Sequence, residues 1–523
     1  MSAVALRAAP PVPPPLGVGP RVRVRFDVLG AMLVLGLAYI FIGVDPTRAE
    51  GTAWVMLEFA VWVFLIGVAM YRSVDGVLRV SDPLLAILGI GLNFFVAPAI
   101  QWLHGADLER QWFEVGRIRM PIFVELQILH MVFLAALTVA YIAVAPRYDL
   151  APPDPRTTRL PSPWPWIIIG LLPTVVAVAE RVITTGTVFA TENYGAAWYR
   201  GQEQLAATYT EGGGALVATQ LLSKVWFLPG LSLGIGEGLL LARLLHRRRP
   251  VLIALFALQA PLMLALSSGG RSAIAIPFAI ALLLADALAG PLRWRWILGV
   301  GGVALVFLNF FGIYRGYREL EFQAAIAASN EQFADMSRSE SLSAEGSIML
   351  VKEHYAVAWT DANDYSRGLS YYSENLIGLL PQQIVPQKRD FMNTANFLSH
   401  ELLGSAADRG GGVAGAIIAD GYMTGRELGV LVLGGVLGAI TAAVVRVLSA
   451  GSRQTGGRPR LWQVALLMCW APQGLFLFRN DLGFILTQIL SVIVLPAGVF
   501  MVVHTLDPGT AWQALVPRAS RST

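Results

Sequence analysis

The chain has 523 residues, 55% of them hydrophobic and only 14% charged, with a formal net charge of +4. A soluble domain carries about a quarter charged residues, so repeated apolar runs of about 20 residues read as an all-α, polytopic helical membrane protein. The single cysteine, Cys469, excludes an intrachain disulfide and any cysteine-based metal site.

The chain begins "MSAVALRAAPPVPPPLGVGPRVRVRF", a Pro-rich stretch expected to be a disordered cytosolic tail. It lacks the apolar core and small-residue cleavage site of a secretory signal ahead of Arg21. About twelve spans follow, at roughly 27–43, 52–71, 83–102, 121–145, 164–184, 215–244, 250–267, 272–290, 294–313, 427–448, 461–478 and 482–505. With the N-terminus inside, the inner loops include "HRRRP", "PLRWR" and "RVLSAGSRQTGGRPR", which are basic as the positive-inside rule asks. One loop, "ERQWFEVGRIRM", disagrees by placing three arginines outside.

The expected organisation is a cytosolic tail over 1–26, transmembrane helices over 27–313, an extracytoplasmic helical segment over 314–426, three more spans over 427–505 and a cytosolic tail over 506–523. Within the long outer segment, "FQAAIAASNEQFADM" and "EGSIMLVKEHYAVAW" have helix-like apolar spacing, suiting surface helices that lie against the membrane.

Four polar features fall on the outer face in this orientation. "SSGGRS" places Arg271 just before the eighth span. Unpaired N–H groups at a helix start favour an anion, and a guanidinium fork suits phosphate oxygens. The alternative is a tight turn with a snorkelling arginine. "YRGYREL" sets Arg315 and Arg318 three apart, so a continuing helix puts both on one face. They hold an anion or anchor the span end, where Glu319 and Glu321 are available to neutralise them. In "LFRNDLGF", Arg479, Asn480 and Asp481 fill a short turn, either as an Arg–Asp hairpin closure or as a third anion ligand.

The fourth feature is "LLPQQIVPQKRDFMNTANFLSHELLG" followed by "GGGVAGAIIADGYMTGRELGVLVLGG", with Lys388, Arg389, His400, Glu401, Asp408 and Asp420. An acid drawn out of water is harder to ionise and suits proton abstraction, which singles out Asp420. Its structural alternatives are a helix cap or a pair with Arg426; His400 is alternatively a surface histidine. The sequence contains no Walker A stretch, HExxH or GxSxG, and "GIGEG" at 234–238 is too helical for a dinucleotide loop. Neither a nucleotide, a nucleic acid nor a metal is expected.

Three of these stretches carry a family resemblance. "SSGGRSAI", the Pro–Lys segment leading to Asp420 and the Gly-rich span, and "LFRNDLGFIL" resemble the corresponding parts of the Wzy-type O-antigen and exopolysaccharide repeat-unit polymerases. The likeness covers the second half of the chain. Asp420 stands where that family more often has Glu, and Arg479-Asn480-Asp481 where it usually has Arg-Gly-Asp.

The resemblance implies a multi-pass glycosyltransferase of the bacterial inner membrane that works without metal or other cofactor. It would join polyprenyl-diphosphate-linked oligosaccharide units on the outer face, alongside a chain-length regulator and a flippase of the same pathway. Arg271, Arg315, Arg318 and Arg479 would then bind the diphosphates, and Asp420 or His400 would deprotonate the acceptor hydroxyl. Trp359, Tyr365, Tyr371 and Tyr372 would offer stacking surfaces to sugars, or else form an interfacial belt. A ligase using the same donor needs the same groups. A lipid-linked sugar transporter or flippase is the reading from another class, and it calls for ionisable groups near the bilayer midplane.

Overall fold

The computed structural model describes residues 26–72, 82–106, 108, 118–145, 160, 162–185, 227–246, 272–289, 324, 327, 328, 331, 344–368, 370–377, 394–403, 415–449, 461–473, 477, 478, 480–489 and 497. Every regular element among them is helical. The expected sites Arg271, Arg315, Arg318 and Arg479, together with Lys388, Arg389, Asp408 and the spans expected at 250–267 and 294–313, lie outside the described residues.

The first helices are α1 (Phe26–Ile42) and α2 (Thr52–Arg72), joined through a 3₁₀ turn at Pro46–Gly51. Asp45 starts that turn, its side chain accepting the Thr47 N–H ahead of a proline whose fixed φ suits a first helical position. Asp82 does the same for α3 (Pro83–Gly91), capping Leu84 N–H. The stretch continues through a π-helical turn, Leu92–Val96, into α4 (Ala97–Leu103). Next come α5 (Met120–Val144), α6 (Trp164–Thr185), α7 (Phe227–His246) and α8 (Ser272–Ala289). The later helices are α9 (Ala344–Ala362), α10 (Ser370–Ile377), α11 (Thr394–Leu403), α12 (Ile417–Ser449), α13 (Leu461–Trp470) and α14 (Leu482–Ile489).

Four stretches among the described residues are long and apolar enough to cross a membrane: Pro46–Tyr71, Pro83–Leu103, Met120–Val144 and Ile417–Leu448. The central pair is α12 on α5, and glycine decides how close they come. A methyl group at Gly438 would lie 2.2 Å from the Leu137 carbonyl oxygen, and one at Gly434 2.7 Å from that of Phe133. This small-xxx-small spacing lets two backbones touch where lipid offers no hydrophobic drive between helices. The same device joins α7 to its neighbours. Gly234 and Gly238 meet α8 at Pro277 and Leu284, while Gly236 meets α6 at Ile167, which accounts for "GIGEG" as packing.

Two findings differ from the sequence expectation. The stretch "EGSIMLVKEHYAVAW" does form a helix, α9, but it is not a surface helix. It packs against α12, α5, α4 and the π-turn, with Leu350, Glu353, Ala356 and Val357 all fully buried. Met349, Val351 and Lys352 are buried too, so the covered positions surround the helix instead of forming one stripe. The second concerns α12, which begins at Ile417, ten residues before the expected span. Non-helical backbone at Gly425 and Arg426 breaks it there into a short first piece and a long apolar one. The expected boundary at 426 is therefore a kink, with Arg426 at a strained φ of 54°.

Candidate functional site

The short first piece of α12 carries Asp420, whose side chain is 1% exposed. Three elements from distant parts of the sequence converge on its carboxylate. Tyr371 of α10 and Thr394 at the start of α11 both donate their hydroxyls to Oδ1, at 2.5 Å. The backbone N–H of Leu482, the first residue of α14, donates to Oδ2 at 3.0 Å. Arg367 supplies the positive charge: its Nη1 lies 3.6 Å from Oδ1 and donates to Thr394 Oγ at 2.7 Å. The same guanidinium sits 4.6 Å over the Tyr371 ring. Both carboxyl oxygens are thus hydrogen-bonded, as buried polar atoms generally are.

Backbone contacts fix this arrangement. Arg367 N–H and Gly368 N–H donate to the Met423 and Thr424 carbonyls, pinning the segment after α9 to the end of the first piece of α12. Across the site, Ala395 N–H donates to Asp481 Oδ2 at 3.3 Å. Asn480 and Asp481 are both buried, so the turn following Arg479 is built into the cluster. Gly415 leaves room for it, since a methyl there would lie 3.0 Å from Asp481 N. Burial, then the charges of Asp420 and Asp481, pushes the Tyr371 phenol far above its usual range, so it remains a donor. Tyr372 is pushed up to about 12 by burial and by Asp420, and its hydroxyl has no partner among the described residues.

No protein-family model, curated protein or solved structure significantly matches this chain. The site therefore has to be read from its own chemistry.

A second polar group lies on another face of the same helical piece. Tyr422 Oη is 2.7 Å from Glu125 Oε1 and 2.9 Å from Asp361 Oδ1. One phenolic proton cannot serve two ionised carboxylates, so this group holds a further proton or accepts a strained contact. Unlike Asp420, Asp361 is exposed and Glu125 is half-buried. Nearby, Arg426 pairs with Asp364 at 2.7 Å, not with Asp420. Those two are the non-glycine residues with positive φ among the described ones.

The remaining expected residues are placed as follows. His400 lies on the exposed side of α11, while Glu401 accepts the Tyr355 hydroxyl at 2.8 Å. Trp359 packs edge-on against Tyr365 and Phe397, with ring centroids 5.2 and 4.6 Å away. Tyr365 is 37% exposed and has free surface, whereas Tyr371 is 3% exposed with one face under Arg367. Arg367 and Thr394 were not singled out by the sequence. "SRGLSYY" places an arginine four residues before two tyrosines, the signal that would have marked Arg367; nothing in the sequence marks Thr394.

Proposed function

We propose that the chain is a multi-pass membrane glycosyltransferase, with about twelve spans and both termini in the cytoplasm. It would join polyprenyl-diphosphate-linked oligosaccharide repeat units on the outer face of the bacterial inner membrane. The observation that carries this reading is the convergence on Asp420, in the first piece of α12, of α10, α11 and the turn following Arg479. Two of the three stretches that carry the resemblance to repeat-unit polymerases, the one leading to Asp420 and the one following Arg479, meet there beside Arg367.

In the reaction, an acceptor sugar hydroxyl attacks the donor's anomeric carbon. The carbon–oxygen bond to the diphosphate breaks, its electron pair leaves on the diphosphate, and the hydroxyl proton passes to a base. Charge grows on the leaving group, and guanidinium groups preorganised around it stabilise that charge. Arg271, Arg315, Arg318 and Arg479 are assigned to this task, with Arg367 held ready by Thr394 and Asp420.

The occupied oxygens of Asp420 suit a positioning residue: it fixes Arg367, Tyr371 and the 480–482 turn. The proton is then taken by a more accessible group, His400 or the Glu125–Asp361 pair that shares the Tyr422 hydroxyl.

The test is elongation by the purified protein in liposomes, using a synthetic polyprenyl-diphosphate oligosaccharide with a chelator present. Ladders of longer lipid-linked glycan and free polyprenyl diphosphate are expected. Arg271→Ala should slow elongation by about 100-fold or more, in the range of removing one preorganised charge-stabilising contact, and Asp420→Asn should slow it by unseating Arg367 and Tyr371. Normal ladders from both variants would overturn the reading. A ligase would leave chain length unchanged without its final acceptor.

A carrier or flippase of lipid-linked sugars is favoured by one observation, the pairing of Glu58 with His130 in the middle of two spans. Elongation in detergent, where nothing can be transported, decides between them.

A further inference from the structure

Away from the Asp420 cluster, an imidazole stands between two carboxylates. His130 Nδ1 lies 3.1 Å from Glu58 Oε1, and His130 Nε2 lies 2.9 Å from Glu353 Oε2. All three side chains are fully buried. Glu58 is thirteenth of the 26 residues in Pro46–Tyr71, and His130 is eleventh of the 25 in Met120–Val144. At ~1.5 Å per residue, both stand near mid-span. Phe95 covers the imidazole face, with ring centroids 4.2 Å apart and planes at 13°. Phe95 belongs to the π-turn Leu92–Val96, a rare geometry that recurs at functional sites.

The protons can be counted. A neutral imidazole has one donor and one acceptor nitrogen. Between two ionised carboxylates its acceptor would face another acceptor at about 3 Å, a costly arrangement in a buried site. An imidazolium donates to both and removes the conflict. It also lowers the buried charge from −2 to −1. Two further oxygens, Glu58 Oε2 and Glu353 Oε1, have no partner among the described residues.

Among the described residues, few other charges face the array. Lys352 on α9 adds its field at Glu353. The π-turn presents Phe95, and α5 presents the neutral Gln127 one turn before His130. On α12, Asp420 and Tyr422 are engaged in the two clusters described above. The array joins α2, α5 and α9, three helices far apart in sequence.

We infer that Glu58, His130 and Glu353 form a proton-binding site in the membrane-embedded core, and that its bound proton seats α9 in the bundle. The proton sits on His130 and holds Glu353 by a charge-assisted bond. Its loss sets an acceptor against an acceptor and loosens α9. Because α9 leads directly to Arg367 and Tyr371, occupancy of this site sets the geometry at Asp420. That last link rests on the glycosyl-transfer reading; the proton site does not.

Two measurements on the full chain in nanodiscs test this, and neither depends on any sugar substrate. The first is ¹⁵N NMR of labelled histidines, with His130 assigned by its absence in His130→Gln. His130 should keep protons on both ring nitrogens at pH 8, where exposed histidines are neutral. A ring that titrates near the ordinary value with the others would overturn the site.

The second is hydrogen exchange over residues 344–362, corrected for the intrinsic pH dependence. Protection should fall about tenfold or more from pH 7 to pH 10, as expected for a linked shift of one pKa unit or more. In Glu353→Gln the side-chain amide donates to a neutral imidazole, so protection should stay flat. An equal fall in both proteins would overturn the seating role. If Glu353→Gln does not fold, Glu58→Gln makes the same substitution of donor for acceptor at Nδ1 and is read in the same way.

Discussion

Asp420 shows what one residue contributes when its surroundings are assembled from distant sequence. Each charge-assisted hydrogen bond is worth about 1.5–3 kcal/mol, and this carboxylate accepts three. Its apolar approach, "VAGAIIA", marks it in the sequence, and the alternative of a pair with Arg426 is not what forms: Arg367 faces it, while Arg426 pairs with Asp364. Local spacing reports which residues share a helix face, and not which loop will cross it.

His354 makes the same point with a measurable consequence. Its Nε2 accepts the Arg119 backbone N–H at 2.9 Å, which requires the ring to be neutral at that nitrogen. Burial, and then the Arg119 charge, lower its pKa from 6.5 to about 4. The unfolded chain therefore binds more protons between those values, and stability rises with pH across that window. The contribution is full above about pH 6.5 and lost as pH falls towards 4, roughly 3 kcal/mol at most. In His354→Gln the amide oxygen keeps the bond without titrating. Its unfolding free energy should lack that rise between pH 4 and 6.5, measured by thermal or denaturant unfolding in detergent at several pH values.

At the scale of elements, hydropathy locates helices well and their partners poorly. The apolar runs at 27–43, 52–71, 121–145 and 164–184 are matched to within a residue or two by α1, α2, α5 and α6. Periodicity could not show that α9 is covered on every side, because Lys352, Glu353 and His354 make its sequence look amphipathic. The burial of Glu353 depends on His130 and that of His354 on the Arg119 backbone, neither visible from α9 itself.

Glycine tests the packing of α12 on α5. Gly438 and Gly435 lie three residues apart on one helix and differ only in what they face. A methyl at Gly438 meets the Leu137 carbonyl at 2.2 Å, while one at Gly435 meets nothing within 4 Å. Gly438→Ala should force the helices apart and cost at least about 1–3 kcal/mol, as overpacking does. Gly435→Ala should be neutral or stabilising by up to about 1 kcal/mol, since alanine is the better helix former. Melting temperatures of the two variants in the same detergent check this. Similar values for both would show that α5 and α12 do not approach so closely.

At the scale of the whole molecule, the sequence supports a helical membrane protein, and four described stretches meet the requirements of a span. Its orientation is a separate question that packing does not answer, because a bundle inverted across the bilayer has the same contacts. The glycosyl-transfer reading needs the Asp420 cluster outside, where lipid-linked repeat units are joined. The long piece of α12 then crosses inward, leaving His400 on the outer side and Arg446 near the inner end. Both are exposed in the structure. The one native thiol, Cys469, is fully buried, so single cysteines introduced at these positions report with little background. His400→Cys should react with a membrane-impermeant maleimide in intact spheroplasts, and Arg446→Cys only after permeabilisation. The reverse pattern would place the Asp420 cluster in the cytoplasm, where a nucleotide-sugar or carrier chemistry would have to replace the one proposed.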